Sequence, residues 1–468
     1  MALKLGRTAV SHFLSQIALS VSGFVATLVI AWVLGADGLG AYTLGLSLMV
    51  WLNLPLAGFQ KALTKRLSEG ADQGEYLTAG VVANLLSVLV PAVLVVLFRG
   101  QVNAYVGEDI AGLLALLLVS NGVFNTVRDT LHGEKKVAHA GWVRTVEQVA
   151  RTVFQVVLLV LGYMIAGLFV GHALSLVVGA LVAIALIDVS PAAPSKHHFR
   201  QLYQYAKHGW SGGFKGNTFN WMDTVVLGFF ATNTLVGVYE VAWTLASFLA
   251  VASNSVRSTL FPEISDIAGD SDDERVHHYL NEGLVFTGVF LIPGFFGALA
   301  IGPDLLRIYN DEFTQGAFVL LLLILARLLD AYASQFTSVI NGLDRPDVSF
   351  RIDVTFVAVN MSLNVVLVFL YGWVGAAVAT LLSSGVALAF GLYAISDLIG
   401  VPDIPVREIG EELVAGLVMF GAVFGLHRVA PSGMWVTVAL VLVGAGIYVG
   451  VLLSVSPRIR GKAEALAP

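Results

Sequence analysis

The chain has 468 residues, of which only 12% are charged and 57% hydrophobic, at a mean hydropathy of +0.82. About twice that charged share is usual in soluble domains, and apolar runs of about 20 residues, each long enough to cross a bilayer core, recur from end to end. The absence of cysteine excludes disulfides, thiolate metal sites and cysteine nucleophiles; the net charge of −6 is spread over loops, and neither nucleic acid nor a cofactor is expected.

The composition therefore predicts an all-α polytopic membrane protein. Fourteen spans are expected, at about 11–33, 41–63, 77–98, 110–131, 142–162, 164–187, 207–231, 237–261, 281–302, 314–340, 350–371, 373–396, 409–428 and 433–455. The first run is followed by others and lacks a small-residue cleavage site, so it reads as a helix, not a signal peptide. Pro91 and Pro293 lie well inside the third and ninth spans, and Pro55 should kink or loosen the second.

An even number of spans puts both termini on one side. Lys4, Arg7, Lys65, Arg66, Lys135, Lys136, Lys196, Arg200, Lys207, Arg345 and Arg458 fall on that side, whereas Arg99, Arg307 and Arg428 fall opposite. The bias makes both termini cytoplasmic and the protein a multi-pass protein of the plasma membrane. The outer connections, such as "LGADGLGAY" at 34–42, are short and nearly uncharged, leaving no room for a catalytic domain. Two cytoplasmic connections are longer: a basic, proline-containing linker at 188–206 and an acidic stretch at 263–283, read as a solvated or amphipathic connection.

The chain also repeats itself. "FQVVLLVLGYMIAGLFVGHALS" at 154–175 aligns with "LNVVLVFLYGWVGAAVATLLS" at 363–383 after one deletion, keeping Leu158, Gly167 and Ser175 among other residue types. Further upstream, 28–48 overlays 225–245, pairing Gly40 with Gly237 and Tyr42 with Tyr239. Two parallel six-helix lobes are expected, at 1–187 and 207–397, followed by two more helices within 398–468. Parallel repeats of this kind are a transporter architecture with the site near the midplane.

The turn "LGADGLGAY", the second helix ending in "GFQKALTKRLSEG" (58–70), "NTLVGVYEVAWTL" (233–245) and "RSTLFPEISD" (257–266) together resemble the polysaccharide-export flippases. These belong to the multidrug/oligosaccharidyl-lipid/polysaccharide (MOP) exporter superfamily, and the resemblance covers about residues 5–400. It implies V-shaped lobes, alternating access and no enzymatic chemistry. The implied cargo is an oligosaccharide on a polyprenyl (pyro)phosphate, turned from the cytoplasmic to the outer leaflet for cell-surface polysaccharide or glycoprotein glycan assembly. A monomer is expected, in contact with membrane lipids and serving a glycan polymerase or transferase.

Charged residues inside apolar helices are the candidates for the site, because such groups are costly in hydrocarbon and face a cavity or a partner. Arg144, Glu147 and Arg151 share one face of the fifth span. They read either as a staple, with Glu147 pairing Arg151, or as the lining of a wet cavity. Lys215 lies about eight residues into the seventh span, while Lys61 and Arg257 close the second and eighth and could simply snorkel to the interface. Arg327 and Asp330 are three apart in the tenth span, like a local ion pair, and His12 lies on the first helix.

Arg7, His12, Lys61, Arg144, Arg151, Lys215, Arg257 and Arg327 are thus the candidate substrate-binding set. Guanidinium and ammonium groups in a water-filled cleft offer charge-assisted hydrogen bonds to a pyrophosphate, and the resemblance places the first, second, seventh and eighth helices around that cleft. Glu147, Asp223 and Asp330 are read as the deepest carboxylates and as candidates for ion coupling. No metal site is expected, since the pairs His197/His198 and His277/His278 have no further ligands nearby in sequence.

The main competing reading is a drug or cation antiporter of the same superfamily, which would have twelve helices and a carboxylate-rich cavity. A membrane glycosyltransferase would need large outer loops, and a major-facilitator transporter a basic G-x-x-x-D-R-x-G-R-R loop after its second span. "TKRLSEGADQGEY" does not supply that loop.

Overall fold

Long apolar stretches without water to satisfy their backbone must close their hydrogen bonds internally, and every regular element among the described residues is helical. The computed structural model describes residues 2–209, 214–268 and 273–466, with side chains at 22–54, 56–207, 214–251, 253 and 274–462. In chain order the helices are α1 (Ala2–Leu52), α2 (Leu54–Ser68), α3 (Gln73–Leu97), α4 (Arg99–Val106), α5 (Ala111–Gly133), α6 (Val137–Val160), α7 (Met164–Ile184), α8 (Lys196–Gly209) and α9 (Phe214–Phe230). There follow α10 (Asn233–Ala268), α11 (Asp273–Arg307), a 3-10 turn at Asp311–Gly316, α12 (Ala317–Gly342), α13 (Pro346–Tyr371), α14 (Trp373–Ile399), α15 (Val406–Val429), α16 (Met434–Val455) and α17 (Pro457–Leu466).

Eleven helices among the described residues are long and apolar enough to cross a membrane. Two expected spans outside that set are α6, which carries Arg144, Glu147 and Arg151, and α9, which carries Lys215 and Asp223 in 17 residues.

Several connections differ from the sequence expectation. The connection at 34–42 contracts to one glycine: Gly35 has φ 68° and ψ −172°, and helix continues on both sides. Glycine reaches that conformation without a Cβ clash. The second span is interrupted at Asn53, where α2 begins with Pro55 in its first turn, a position that needs no amide donor. Pro91 and Pro293 sit within α3 and α11, and the non-helical residue of α11 is Ile301, two residues before Pro303.

The basic linker is in good part helix. His198, Leu202 and Ala206, spaced four apart, turn one buried face of α8, and Leu202 and Ala206 pack into a cluster with Leu63, Leu67 and Tyr76. The acidic connection is also largely helical, since α10 runs to Ala268 and α11 starts at Asp273.

The chain divides into two compact units, Ala18–Gly237 and Met1–Ile17 with Val238–Pro468. The first contains two hairpin-like pairings, α3 with α5 and α6 with α7; in the second, α13 packs on α14 and α15 on α16. The repeat is visible in packing. A methyl on Gly167 would stand 3.0 Å from Leu158 Cβ, and one on Gly375 would run into the Leu367 carbonyl. These pairs occupy aligned repeat positions, so the same close crossing joins α6 to α7 and α13 to α14. Gly40 and Gly237 show a reciprocal approach: a methyl on Gly40 would meet Gly237 N at 2.9 Å, and one on Gly237 would meet the Ala36 carbonyl carbon at 2.8 Å.

Candidate functional site

The charged face of α6 lies in the middle of the helix, with Arg151 fourteen residues from its start. Glu147 is only 6% exposed. Its Oε1 lies 3.7 Å from Arg151 Nε, one turn on, and 3.0 Å from Ser175 Oγ on α7. Arg151 is half-buried and also donates to Gln148 Oε1 and, at 3.2 Å, to His172 Nε2.

An arginine can only donate, so His172 Nε2 offers its lone pair and the ring proton sits on Nδ1, 3.0 Å from the Tyr42 hydroxyl. Gln155 Nε2 donates to the same Tyr42 oxygen at 2.7 Å and lies 3.1 Å from the Leu168 carbonyl. Tyr42, Gln155 and His172 are each buried. The network thus joins α1, α6 and α7, and Tyr42, Gln155 and His172 are each hydrogen-bonded within it.

Arg144 differs from Arg151. It is exposed and lies within electrostatic range of Arg128, Glu147 and Arg151. Arg128 on α5 pairs with Asp129 at 3.1 Å and lies over the Phe124 ring at 5.7 Å. Three guanidiniums and two carboxylates leave this group positive, with Arg144 as its open member.

The repeat alignment carries Arg151, Gln155, His172 and Ser175 onto Asn360, Asn364, Thr380 and Ser383. Those four are fully buried, and Asn360 Nδ2 donates to Thr380 Oγ1 at 3.3 Å and Ser383 Oγ at 3.0 Å. Both repeats therefore carry a buried polar junction at equivalent crossings. Only the first is charged.

In the second unit, Arg327 stacks on Trp243 with its guanidinium carbon 4.0 Å from the ring, and its Nη2 donates to Ser247 Oγ at 2.5 Å. Face-on stacking against an aromatic ring suits the planar guanidinium. Glu240, one turn before Thr244, accepts from that hydroxyl at 3.3 Å and lies within electrostatic range of Arg327. Asp330 is half-buried.

Lys61 is exposed, Lys215 is half-buried and Asp223 is 4% exposed. The side chains of Arg7, His12 and Arg257 lie outside the described residues. Sequence reasoning passed over Arg128, His172, Tyr42, Gln155, Glu240 and Glu412. Glu240 stands in "VGVYEVAWTL" and Glu412 in "GEELVAG", and an acid inside an apolar run was the available signal. His172, Tyr42 and Gln155 carried no such signal, because single polar residues are common in helices.

The chain is 29% identical to "Probable flippase AglR" of Haloferax volcanii, over 99% of this chain and 98% of that protein. It is 27% identical to "Probable low-salt glycan biosynthesis flippase Agl15" of the same organism, over 96% and 95%. Its fold is similar to that of "Lipid II flippase MurJ, inward closed conformation", at TM-score 0.79 and 14% identity, covering 94% of this chain and 97% of that one. A multidrug resistance MATE family transporter of the MOP superfamily, inward-facing, overlays at TM-score 0.58 over 82% and 94%. The sequence profile of the family described as "Polysaccharide biosynthesis protein" matches residues 5–268, more than half of the chain. With a MurJ-like helical fold and a charged junction built into its first unit, the chain belongs to the polysaccharide biosynthesis protein family.

Proposed function

We propose that this protein is a flippase, a transporter and not an enzyme, that moves a polyprenyl-(pyro)phosphate-linked oligosaccharide from the cytoplasmic to the outer leaflet by alternating access. The observation that carries the reading is Arg144. It is an open guanidinium on a helix of membrane-spanning length, one turn from a Glu147–Arg151 pair that neutralises itself. Such a group recognises phosphate through charge-assisted hydrogen bonds. Family membership and near full-length similarity to two proteins named as flippases support the cargo class and favour it over a drug or cation antiporter.

In this reading α6 and α9 cross the membrane with the eleven apolar helices, and Gly35 divides α1 in two, giving fourteen spans with both termini cytoplasmic in the plasma membrane. The six-helix lobes at 1–187 and 207–397, the linker at 188–206 and the final pair of spans belong to the same proposal. Arg7, His12, Lys61, Arg151, Lys215, Arg257 and Arg327 join Arg144 in handling the phosphate and sugars. Glu147, Asp223 and Asp330 are the ion-coupling candidates. The protein acts as a monomer and hands its cargo to a glycan polymerase or transferase.

The test is a deletion strain. It should accumulate the lipid-linked glycan on the cytoplasmic side; the wild-type gene should clear it, and Arg144→Ala should not. Normal surface glycan in cells carrying an Arg144→Ala, Lys215→Ala double variant would remove the reading.

A further inference from the structure

Three acids follow one another closely on α15, and the second unit treats them differently. Glu411 Oε1 is held by Arg407 Nε at 2.9 Å. Glu408 Oε1 is held by Arg458 Nη1 at 3.0 Å, and the same arginine reaches Glu282 on α11 at 2.6 Å, where Lys462 also pairs. Glu412 is 0% exposed, and neither of its carboxylate oxygens has a protein hydrogen-bond partner.

The surroundings of Glu412 are oxygen-bearing. The hydroxyls of Tyr332 on α12 and Tyr448 on α16 are buried and likewise lack partners, and both lie within electrostatic range of Glu412. Gly288 on α11 makes the space: a methyl there would collide with Glu412 Oε2 and come within 2.9 Å of the Tyr332 hydroxyl. The charged group acting on Glu412 is Glu408, a like charge from its own helix. Of the elements packed around it, α12 and α16 present tyrosines, and the acid of α11, Glu282, is already matched by Arg458 and Lys462.

A carboxylate taken wholly out of water needs a counter-charge or a proton. Two phenolic oxygens and two carboxylate oxygens make a donor set for a hard cation, which prefers oxygen. We propose that Glu412, with Tyr332 and Tyr448, binds a small monovalent cation, either sodium or an exchangeable proton, at the junction of α11, α12, α15 and α16. The site belongs to the second unit, whereas the charged network of Arg144, Glu147 and Arg151 belongs to the first.

The test uses the full-length protein in detergent or nanodiscs. If sodium is the ion, sodium-22 binds saturably at one site per chain, and saturating sodium raises the thermal midpoint by about 5 °C over choline. Glu412→Gln then abolishes both effects, and Tyr448→Phe weakens binding about tenfold, as expected for one lost oxygen ligand. If the proton is the ion, sodium-22 does not bind at this site. The native protein then shows a carboxylic-acid infrared band that disappears as pH rises and is missing in Glu412→Gln. The infrared measurement on native protein and Tyr448→Phe keeps the test open if Glu412→Gln fails to fold. Absence of both sodium binding and a pH-sensitive band, or persistence of either in Glu412→Gln, overturns the site.

Discussion

Arg151 Nη1 lies 3.2 Å from His172 Nε2, across the crossing of α6 and α7. Because the guanidinium donates, this contact fixes the imidazole tautomer and hands the Nδ1 proton to Tyr42, which Gln155 also holds. The arginine that begins this chain is itself balanced by Glu147. The junction is therefore an ordered unit in which a permanent charge orients three neutral groups.

Removal of Arg151 should cost more than removal of Glu147's charge. Arg151→Ala leaves Glu147 buried without its cation, and breaking such a pair typically costs about 3–5 kcal/mol. Glu147→Gln leaves Arg151 half-buried, with Gln148 and His172 still accepting from it. Thermal unfolding of the two purified variants should rank them in that order. Equal or inverted midpoints would show that Glu147 is not held by Arg151.

Tyr42 and His172 should be energetically coupled. Tyr42→Phe and His172→Ala should each lower stability by about 1–3 kcal/mol, because each leaves a buried partner unsatisfied. In a double-mutant cycle their effects should fall short of additivity by about 0.5 kcal/mol or more. Strict additivity would mean that the 3.0 Å contact between them has no energetic weight.

Gly40 and Gly237 should tolerate no side chain. Their Cβ positions fall on the backbone of the facing segment, which has no rotamer by which to yield, so Gly237→Ala should cost about 1–3 kcal/mol or more. Gly216, where a methyl meets nothing within 4 Å, serves as the control for adding a methyl to a helix. Comparable membrane levels and melting of the Gly237→Ala and Gly216→Ala proteins would contradict the close approach.

Stacking on Trp243 should support Arg327. Trp243→Leu removes the ring 4.0 Å from the guanidinium and should lower stability by about 0.5–2 kcal/mol for the lost cation–π contact alone, while Trp243→Phe should retain part of it. The melting temperatures should follow the order wild type, Phe, Leu. Coincident values for Phe and Leu would remove the stacking argument.

Length, composition and periodicity alone determined the all-helical, membrane-spanning character of the chain, the order of its apolar helices and its internal repeat. Each is a property of consecutive residues: hydrocarbon admits only long apolar helices, and a repeated hairpin repeats its glycines. The Glu147–Arg151 pairing was one of two readings open to sequence, since an i, i+4 spacing permits it. Tertiary structure decided what that pair does next. Tyr42, Gln155 and His172 come from positions up to 130 residues apart, and no local pattern marks them as partners. The same holds for α8, whose buried face exists only because Leu63, Leu67 and Tyr76 lie opposite it. It holds again for Glu412, which is fully buried and, unlike Glu408 and Glu411, has no arginine paired with it. Whether a buried charge has a partner is a question of distance between helices, and that distance is set by packing.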